Sequence, residues 1–334
     1  RPLLWLGGGA RHAREGAIRL VEYGVGVVTS VNGRGIIPED HPLTLGAFNM
    51  NPDAEAFYRT CDLMLVVGSR LRSNETKNYQ LALPAPLLQS DANSAADGRS
   101  YPNSGFVCGD SAVVLSGLAG RLQGQLHIDP SFAQDLAKAR KAAEVRLRTT
   151  LGPYDALVDA LQTELQQDAL WVRDVTISNS TWGNRLLKIF APRNGIHALG
   201  GGIGQGMPMG IGAALGAEGR KVVALCGDGG LMLNIGELAT AVQEQADVTL
   251  LVMNDQGYGV IRNIQDARFG GRHYFTDLRL PDFAKLSESL SVPHWNVTSI
   301  SEFGEKFREA LAVNGPALVE VDMQAIGPFK VPFA

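Results

Sequence analysis

Residues 226–259 read CGDGGLMLNIGELATAVQEQADVTLLVMNDQGYG, and this stretch decides the fold. An apolar run leads into Gly-Asp-Gly-Gly, a helical pattern follows over 235–245, and a second apolar run at 248–253 ends in Asn-Asp-Gln-Gly. A strand, a helix and a second strand in this order are typical of a parallel crossover, which brings the ends of both strands to one edge of a sheet. The sequence therefore predicts that the two polar clusters lie side by side.

The same alternation of short apolar runs and helical patterns continues through the rest of the chain. Strands are predicted at 3–6, 25–29, 62–67, 86–90, 105–108, 170–175, 221–227 and 317–322, and helices at 11–23, 110–123, 182–190 and 301–313. Residues 202–217 are predicted to form a glycine-rich turn that runs into a helix. This pattern predicts an α/β protein with two doubly wound parallel-sheet domains. We assign the first domain to 1–125 and the second to 166–334. A polar helical segment with a Gly-Pro break is assigned to a linker over 126–165.

Composition limits the classes of function. The 334 residues are 45% hydrophobic and 19% charged, with a net charge of −4, so no basic excess indicates binding of nucleic acid. No apolar run is long enough to cross a membrane. Three widely separated cysteines, Cys61, Cys108 and Cys226, predict buried thiols in a reduced, cytoplasmic compartment.

Two other glycine-rich segments each allow two interpretations. GGGA at 7–10 follows a strand and precedes a helix, which suits either a nucleotide phosphate or a plain tight turn. GGGIGQGMP at 200–208 leads into a helix of small residues, which suits close packing against either a ligand or another element. Gln205 in that segment is predicted either to touch a substrate or to stabilise the loop.

Asp228 and Asp255 are predicted to end adjacent strands, at the edge where α/β sheets bind ligands. Two carboxylates, a backbone carbonyl and glycine N–H groups suit a hard cation. Magnesium usually takes one or two carboxylates and completes its shell with phosphate oxygens and water. The pattern therefore predicts a diphosphate held through a metal.

The spacing of these motifs resembles that of a known family. GDG, 24 residues and then ND are similar to the diphosphate-and-magnesium signature of thiamine-diphosphate enzymes, in the group of acetolactate synthase, benzoylformate decarboxylase and pyruvate decarboxylase. HPLTLGAF at 41–48 and DLMLVVGSRL at 62–71 look like the middle domain of that group. GPALVEVDM at 315–323 looks like the last strand of its diphosphate-binding domain. The resemblance covers nearly the whole chain.

This resemblance implies a Mg²⁺ site. Asp228 is the first ligand, Asp255 the second and the main-chain carbonyl of Gly257 the third. Many relatives carry Asn where this chain has Asp255. Asn254 is interpreted as a neighbour that holds the turn, with a role as the ligand left open.

The resemblance also implies thiamine diphosphate as the cofactor. The positions that match phosphate contacts or lie beside them are Thr176, Ser178, Asn179, Gly229, Gly230, Tyr258, Gly259 and Val260. Ile203 matches the large apolar residue that bends the two rings of the cofactor, and the carbonyl of Gly201 matches the acceptor of the aminopyrimidine amino group. Gly202, which lies between them, is also assigned to cofactor binding.

The expected substrate is a small 2-oxo acid, which is decarboxylated or joined to an acceptor. Pyruvate decarboxylases carry a Glu at the position of Ile261, so the other two branches are favoured, whereas Ile264 replaces the Trp of acetolactate synthases. In the family the Glu that activates the cofactor lies on an N-terminal pyrimidine-binding domain of another subunit. We therefore expect no catalytic residue in this chain, which is either a truncated piece or the partner of a separate pyrimidine subunit. A homo-oligomer, dimer or tetramer, is also expected.

Two other functions stay open. The chain could be a cofactor-binding module without catalysis of its own, or a nucleotide-dependent oxidoreductase that uses GGGA. FAD, which acetolactate synthases bind in the middle domain, is not expected here. The reason is that Asn49-Met50-Asn51 replaces the small, glycine-bearing loop of those enzymes.

Overall fold

The computed structural model describes residues 1–330, which form two compact units. The first unit comprises Arg1–Arg146 and Lys188–Arg193, and the second comprises Leu147–Leu187 and the described chain from Asn194 onwards. Each unit contains one sheet, and every strand pair in both sheets is parallel. The predicted fold class of two parallel-sheet α/β domains is confirmed.

The first unit is built on a five-stranded sheet with the order β2-β1-β3-β4-β5. Its elements are β1 (Pro2–Leu6), α1 (Arg14–Glu22), β2 (Gly26–Thr29), α2 (Pro52–Tyr58), β3 (Leu63–Val67), β4 (Leu87–Asp91), β5 (Gly105–Cys108), α3 (Ser111–Leu122) and α4 (Phe132–Arg148). Leu3 and Trp5 of β1 enter one hydrophobic core, while Leu4 and Leu6 enter another on the opposite face. Because both faces are covered, a continuous apolar run is what this strand requires.

The glycines of GGGA have a packing role in the first unit. Gly7 N donates to Val67 O at 2.9 Å, and Gly9 N donates to Gly68 O at 2.9 Å. A Cβ atom on Gly7 would lie 2.2 Å from the carbonyl oxygen of Gly68 and 2.6 Å from Ser69. This close approach of two loops explains the glycine without a nucleotide, and it favours the tight-turn interpretation.

The second unit carries a six-stranded sheet with the order β10-β11-β9-β8-β6-β7. Its elements are α5 (Tyr154–Glu164), β6 (Leu170–Arg173), β7 (Gly195–His197), α6 (Gly206–Leu215), β8 (Val222–Gly227), α7 (Asp228–Leu233), α8 (Glu237–Gln243), β9 (Val248–Asn254), α9 (Gly259–Phe269), α10 (Phe283–Ser289), β10 (His294–Val297), α11 (Ile300–Leu311), β11 (Ala317–Asp322) and α12 (Met323–Ile326). All seven residues of β9 are buried. Gly210 of α6 allows that helix to approach Ala224 of β8, since a Cβ on Gly210 would lie 2.8 Å from it.

The structure assigns the predicted linker, 126–165, to the two units. Phe132 and Leu136 of α4 belong to a hydrophobic core of the first unit, because they pack with β1 and β3. Helix α5 belongs to the second unit, where it packs against α11. The polar composition of the segment reflects helices with one buried stripe.

The predicted helix over 182–190 is wrong. A short π-helix, Asn179–Gly183, occupies the start of this segment, and turns follow it. Leu187 lies in the second unit, whereas Lys188–Arg193 lie in the first. Ile189 N donates to Glu39 Oε2 at 2.8 Å. Because this backbone is held by the first unit, it cannot continue an intrahelical ladder, so tertiary structure overrides the helical pattern.

The expectation of buried thiols is wrong for one cysteine. Cys61 and Cys226 are buried, but Cys108 is exposed at the end of the edge strand β5. Burial raises the pKa of the Cys61 thiol to about 12.

None of the described helices is long and apolar enough to cross a lipid bilayer.

Candidate functional site

Four loops of the second unit meet at the carboxyl edge of its sheet. They follow β7, β6, β8 and β9, which are neighbours in this order in the sheet. After β6 the chain crosses to β7 on one side, and after β8 it crosses to β9 on the other. Such a switch point leaves a crevice at the strand ends, where open α/β sheets bind ligands.

The crevice holds a cavity of about 290 Å³. Eleven of the predicted site residues line it: Thr176, Gly201, Ile203, Asp228, Gly229, Gly230, Asp255, Gly257, Tyr258, Gly259 and Val260. The structure therefore brings together the glycine-rich loop, both Asp clusters and the start of α9. The first and last of these residues, Thr176 and Val260, are 84 positions apart in the sequence (260 − 176).

Four predicted site residues do not line the cavity: Ser178, Asn179, Gly202 and Asn254. Ser178 and Asn179 are buried within the turn after β6, where Asn179 N donates to the Thr176 hydroxyl at 3.0 Å. Asn254 donates from Nδ2 to Glu320 Oε1 at 2.7 Å and accepts at Oδ1 from Gln256 N at 3.1 Å. Of the Asn-Asp pair, Asp255 faces the cavity and Asn254 holds the turn.

The electrostatics of the cavity are dominated by two carboxyl groups. Asp228 is almost completely buried, and its Oδ2 accepts from Gly257 N at 2.8 Å. Burial, followed by the charge of Asp255, raises the pKa of Asp228 to about 7. Burial also raises the pKa of Asp255, although the nearby Arg262 guanidinium opposes this shift. Two carboxylates held together out of water are stabilised by a proton or a cation between them.

Matches to protein-family models agree with this geometry. Residues 176–321 match the model described as "Thiamine pyrophosphate enzyme, C-terminal TPP binding domain". Residues 1–118 match the model described as "Thiamine pyrophosphate enzyme, central domain". The chain belongs to the thiamine pyrophosphate enzymes. The TPP-binding match contains the cavity lining from Thr176 to Ile261, and it indicates thiamine diphosphate as the ligand of the second unit.

Similar proteins in this family have different named activities. The chain is 27% identical over 336 residues to the acetolactate synthase large subunit of Porphyra purpurea, covering 96% of this chain and 56% of that protein. It is 30% identical over 331 residues to a probable 2-ketoarginine decarboxylase of Pseudomonas aeruginosa, covering 96% and 58%. It is 27% identical over 337 residues to a probable acetolactate synthase large subunit of Methanocaldococcus jannaschii, covering 96% and 57%. The chain thus spans a little over half the length of these relatives.

The glycines of this thiamine pyrophosphate enzyme form the walls of the site. A Cβ on Gly229 would lie 2.6 Å from the Tyr258 ring, and one on Gly257 would lie 2.2 Å from the Thr276 carbonyl oxygen. A Cβ on Gly259 would lie 1.9 Å from Asp255 Oδ2. Glycine at these positions therefore lets the segments around the cavity approach one another more closely than a side chain would allow.

Sequence reasoning missed several residues of the site. Val175, Ile177, Gly227 and Met253 also line the cavity, and Ile261, at the position of the Glu of pyruvate decarboxylases, lines it too. Their positions beside Thr176, Asp228 and Asp255 would have indicated most of them. Asp174 adjoins the lining residue Val175, and it could have been found because it directly follows β6 as Asp228 directly follows β8. Gln205 bonds to the backbone of Leu199 and Gly202, which favours its loop-stabilising role.

We expect Gly259→Ala to destabilise the second unit by about 1–3 kcal/mol, because the new methyl group would overlap the Asp255 carboxylate. Urea denaturation measures the change, and hydrogen exchange of β8 and β9 amides locates it. The control is Gly212→Ala, an exposed position in α6 where an added Cβ meets nothing within 4 Å. Equal stability of the two variants would contradict the packing at Gly259.

Proposed function

We propose that this chain forms the cofactor- and magnesium-binding part of a thiamine-diphosphate-dependent enzyme that decarboxylates a 2-oxo acid or joins it to an acceptor. One observation carries the proposal. Asp228, Asp255 and Gly257 meet in a single cavity walled by glycines, within the segment that matches the family's TPP-binding domain. This residue set suits a diphosphate bound through a divalent cation.

The metal is Mg²⁺, with Asp228, Asp255 and the Gly257 carbonyl as protein ligands. Within residues 1–330, no group of three or more His, Cys, Asp or Glu side chains could hold a metal by itself. Magnesium fits a site with two carboxylates because it retains water and takes phosphate oxygens for the rest of its shell. A cation also relieves the repulsion between the two buried carboxylates.

Different residues of the cavity would bind different parts of thiamine diphosphate. Thr176, Gly229 and Gly230 would surround the diphosphate, while Gly201 and Ile203 would face the ring end. When bound, the cofactor supplies the carbanion chemistry, and the protein orients it and keeps it from water. Tyr258, packed against Gly229, closes the side of the cavity at the start of α9.

The substrate is a small 2-oxo acid. Ile261 lines the cavity and Val260 precedes it, so the wall contributed by α9 is apolar. An apolar wall without a carboxylate accepts the side chain of an oxo acid without repelling its carboxylate group. The named activities of the relatives, acetolactate synthase and 2-ketoarginine decarboxylase, are consistent with this substrate class.

The mouth of the cavity is proposed to be covered by another polypeptide, in a homo-oligomer or by a pyrimidine-binding domain. Leu199 is 75% exposed, Leu233 53%, Ile261 46% and Ile203 39%. A Cβ on Gly204 would lie 3.0 Å from the Leu233 side chain, so Leu233 borders the same loop as Leu199 and Ile203. A cluster of exposed apolar side chains at a binding site is typical of an interface.

We expect thiamine diphosphate with Mg²⁺ to raise the melting temperature of the chain, because a ligand that binds only the native state stabilises it by about 2.7 kcal/mol at 100 times its Kd. Asp228→Asn, which removes the charge with little change of shape, should abolish the increase. Asp247→Asn is the control, since Asp247 pairs with Lys221 and does not line the cavity. Thermal denaturation with cofactor, Mg²⁺ or both distinguishes the contributions. The proposal fails if no combination of ligands stabilises the wild-type chain.

The chain alone should bind the cofactor without turning over 2-oxo acids. Asp228 and Asp255 are the acidic residues in the cavity lining of the described structure, and both are assigned to the metal. No lining carboxylate thus remains to bond the aminopyrimidine ring and activate it as an internal base. Proton exchange at thiazolium C2, followed by NMR, and carbon dioxide release should be slow for this chain. Both should be fast when a pyrimidine-binding domain is joined to it, and fast exchange in the chain alone would overturn the assignment.

Self-association should depend on the apolar residues at the cavity mouth. Leu199→Glu with Leu233→Glu is expected to shift the wild-type oligomer towards monomer, since charged side chains are costly to bury in an interface. Light scattering at several concentrations measures the shift. Val113→Glu is the matched control, because Val113 is 73% exposed in the first unit. A wild-type chain that is monomeric at all concentrations would contradict the proposal of a homo-oligomer.

A further inference from the structure

Asp174 is a buried carboxylate that neither binds the metal nor lines the cavity. It follows β6 directly, and only 1% of its surface is exposed. Among its described contacts there is no Lys, Arg or His; its partners are backbone amides. A buried charge without a cationic partner is costly, so its hydrogen bonds must stabilise it.

The carboxylate joins three elements of the site. Its Oδ1 accepts from Val175 N at 2.8 Å, and its Oδ2 accepts from Gly204 N at 2.9 Å. A Cβ on Gly230 would lie 2.8 Å from Oδ2, and one on Gly206 would lie 2.8 Å from the Asp174 Cβ. Asp174 therefore contacts the end of β6, the loop before α6 and the first turn of α7 at once.

The loop that Asp174 holds, residues 199–205, is hereafter the glycine loop. Gly200, Gly201 and Gly204 have φ values of 69°, 77° and 87°. Glycine reaches these values readily, but it also reaches many others, so the sequence of this loop does not select one conformation. The loop's backbone supplies a long hydrogen bond, from Gly202 N to Leu199 O at 3.4 Å.

Side chains supply the stronger contacts that fix the glycine loop. Gln205 accepts from Leu199 N at 3.0 Å and donates to Leu199 O at 2.9 Å and Gly202 O at 3.0 Å. Asn234 donates to Gly204 O at 2.7 Å. Gln205 thus closes the loop on itself, while Asp174 attaches it to the sheet. Gly201 and Ile203, which line the cavity, are carried by the loop between these two attachments.

We propose that Asp174 is a positioning residue: it anchors the glycine loop so that Gly201 and Ile203 are preset to receive the ring end of thiamine diphosphate. The inference rests on the proposed function for the identity of the ligand. In this role Asp174 contacts neither the diphosphate nor the metal. Preorganisation of this kind lowers the cost in conformational entropy of ordering the loop when the ligand binds.

Two ligands separate this role from a general effect on folding. Thiamine diphosphate contacts both ends of the cavity, whereas inorganic diphosphate with Mg²⁺ occupies only the metal end. An isosteric Asp174→Asn variant presents an NH₂ group either to Val175 N or to the amides on the Gly204 side, so it loses the hydrogen bond on one side. We expect its affinity for thiamine diphosphate to fall roughly 10- to 100-fold, the range for residues that orient a binding group. Its affinity for inorganic diphosphate with Mg²⁺ should change by less than about threefold, within the scatter of near-neutral substitutions.

The measurements are isothermal titration of both ligands and hydrogen exchange of the Gly201–Gly206 amides in the full 334-residue chain. Faster exchange confined to these amides, with the selective loss of thiamine diphosphate affinity, supports the inference. Equal losses for both ligands, or no loss for either, overturn it. If the wild-type chain binds neither ligand, the proposed function fails first, which is a different result. Asp247→Asn is the control for the loss of one Asp charge in the same unit.

A second variant keeps the test decisive if Asp174→Asn does not fold. Gln205→Ala removes three hydrogen bonds of the glycine loop, all of them exposed, and leaves the buried Asp174 in place. It should show the same selective loss of thiamine diphosphate affinity, because it loosens the same loop. Unchanged affinity for both ligands in Gln205→Ala would show that the conformation of the glycine loop does not matter for binding, and the inference would be wrong.

Discussion

The candidate site depends on the burial of two like charges at one point. Asp228 and Asp255 come from different strands, and β8 and β9 are paired in parallel, so their ends cannot be separated. Burial raises the pKa values of both groups, and the charge of Asp255 raises that of Asp228 further, whereas backbone amide donors and the nearby Arg262 oppose these shifts. Such a pair is a poor core for a protein, but it attracts a cation. Glycines surround this pair of carboxyl groups because the neighbouring loops approach it too closely to carry side chains at these positions.

Glycine has two distinct roles in this molecule. At Gly7, Gly229, Gly257 and Gly259, an added Cβ would overlap a neighbouring loop or side chain, so glycine permits close packing. In the glycine loop, positive φ values favour glycine, and part of that loop is open to solvent. Close packing makes part of the site rigid, whereas the glycines with positive φ leave the conformation of the glycine loop undetermined. Asp174 and Gln205 supply the missing constraint, so the part of the site around Asp228 and Asp255 and the glycine loop are held by different means.

The burial of both faces explains why the sequence was informative about the sheets. Strands such as β1 and β9 are continuous apolar runs, which distinguishes them from the helices between them. The segment at 182–190 was misleading for the opposite reason. Its apolar spacing suits a helix, but Trp182 packs against Trp171 in the second unit, whereas Ile189 is hydrogen-bonded to Glu39 in the first. A local pattern of apolar residues indicates that a residue is buried, but it does not indicate which element packs against that residue.

The sequence by itself determined the α/β class, most strands, and the convergence of Asp228 and Asp255, because strand order and parallel pairing place strand ends together whatever the side chains do. Only the tertiary structure decided the direction of individual side chains. Asn254 and Asp255 are adjacent, and neighbouring residues at the end of a strand point to opposite sides, so the strand pattern alone does not determine which of them faces the cavity. The contact with Glu320 made that choice. The same holds for Asp174, whose partner Gly204 lies 30 residues away along the chain. Its role exists only once the loop has folded over the end of β6.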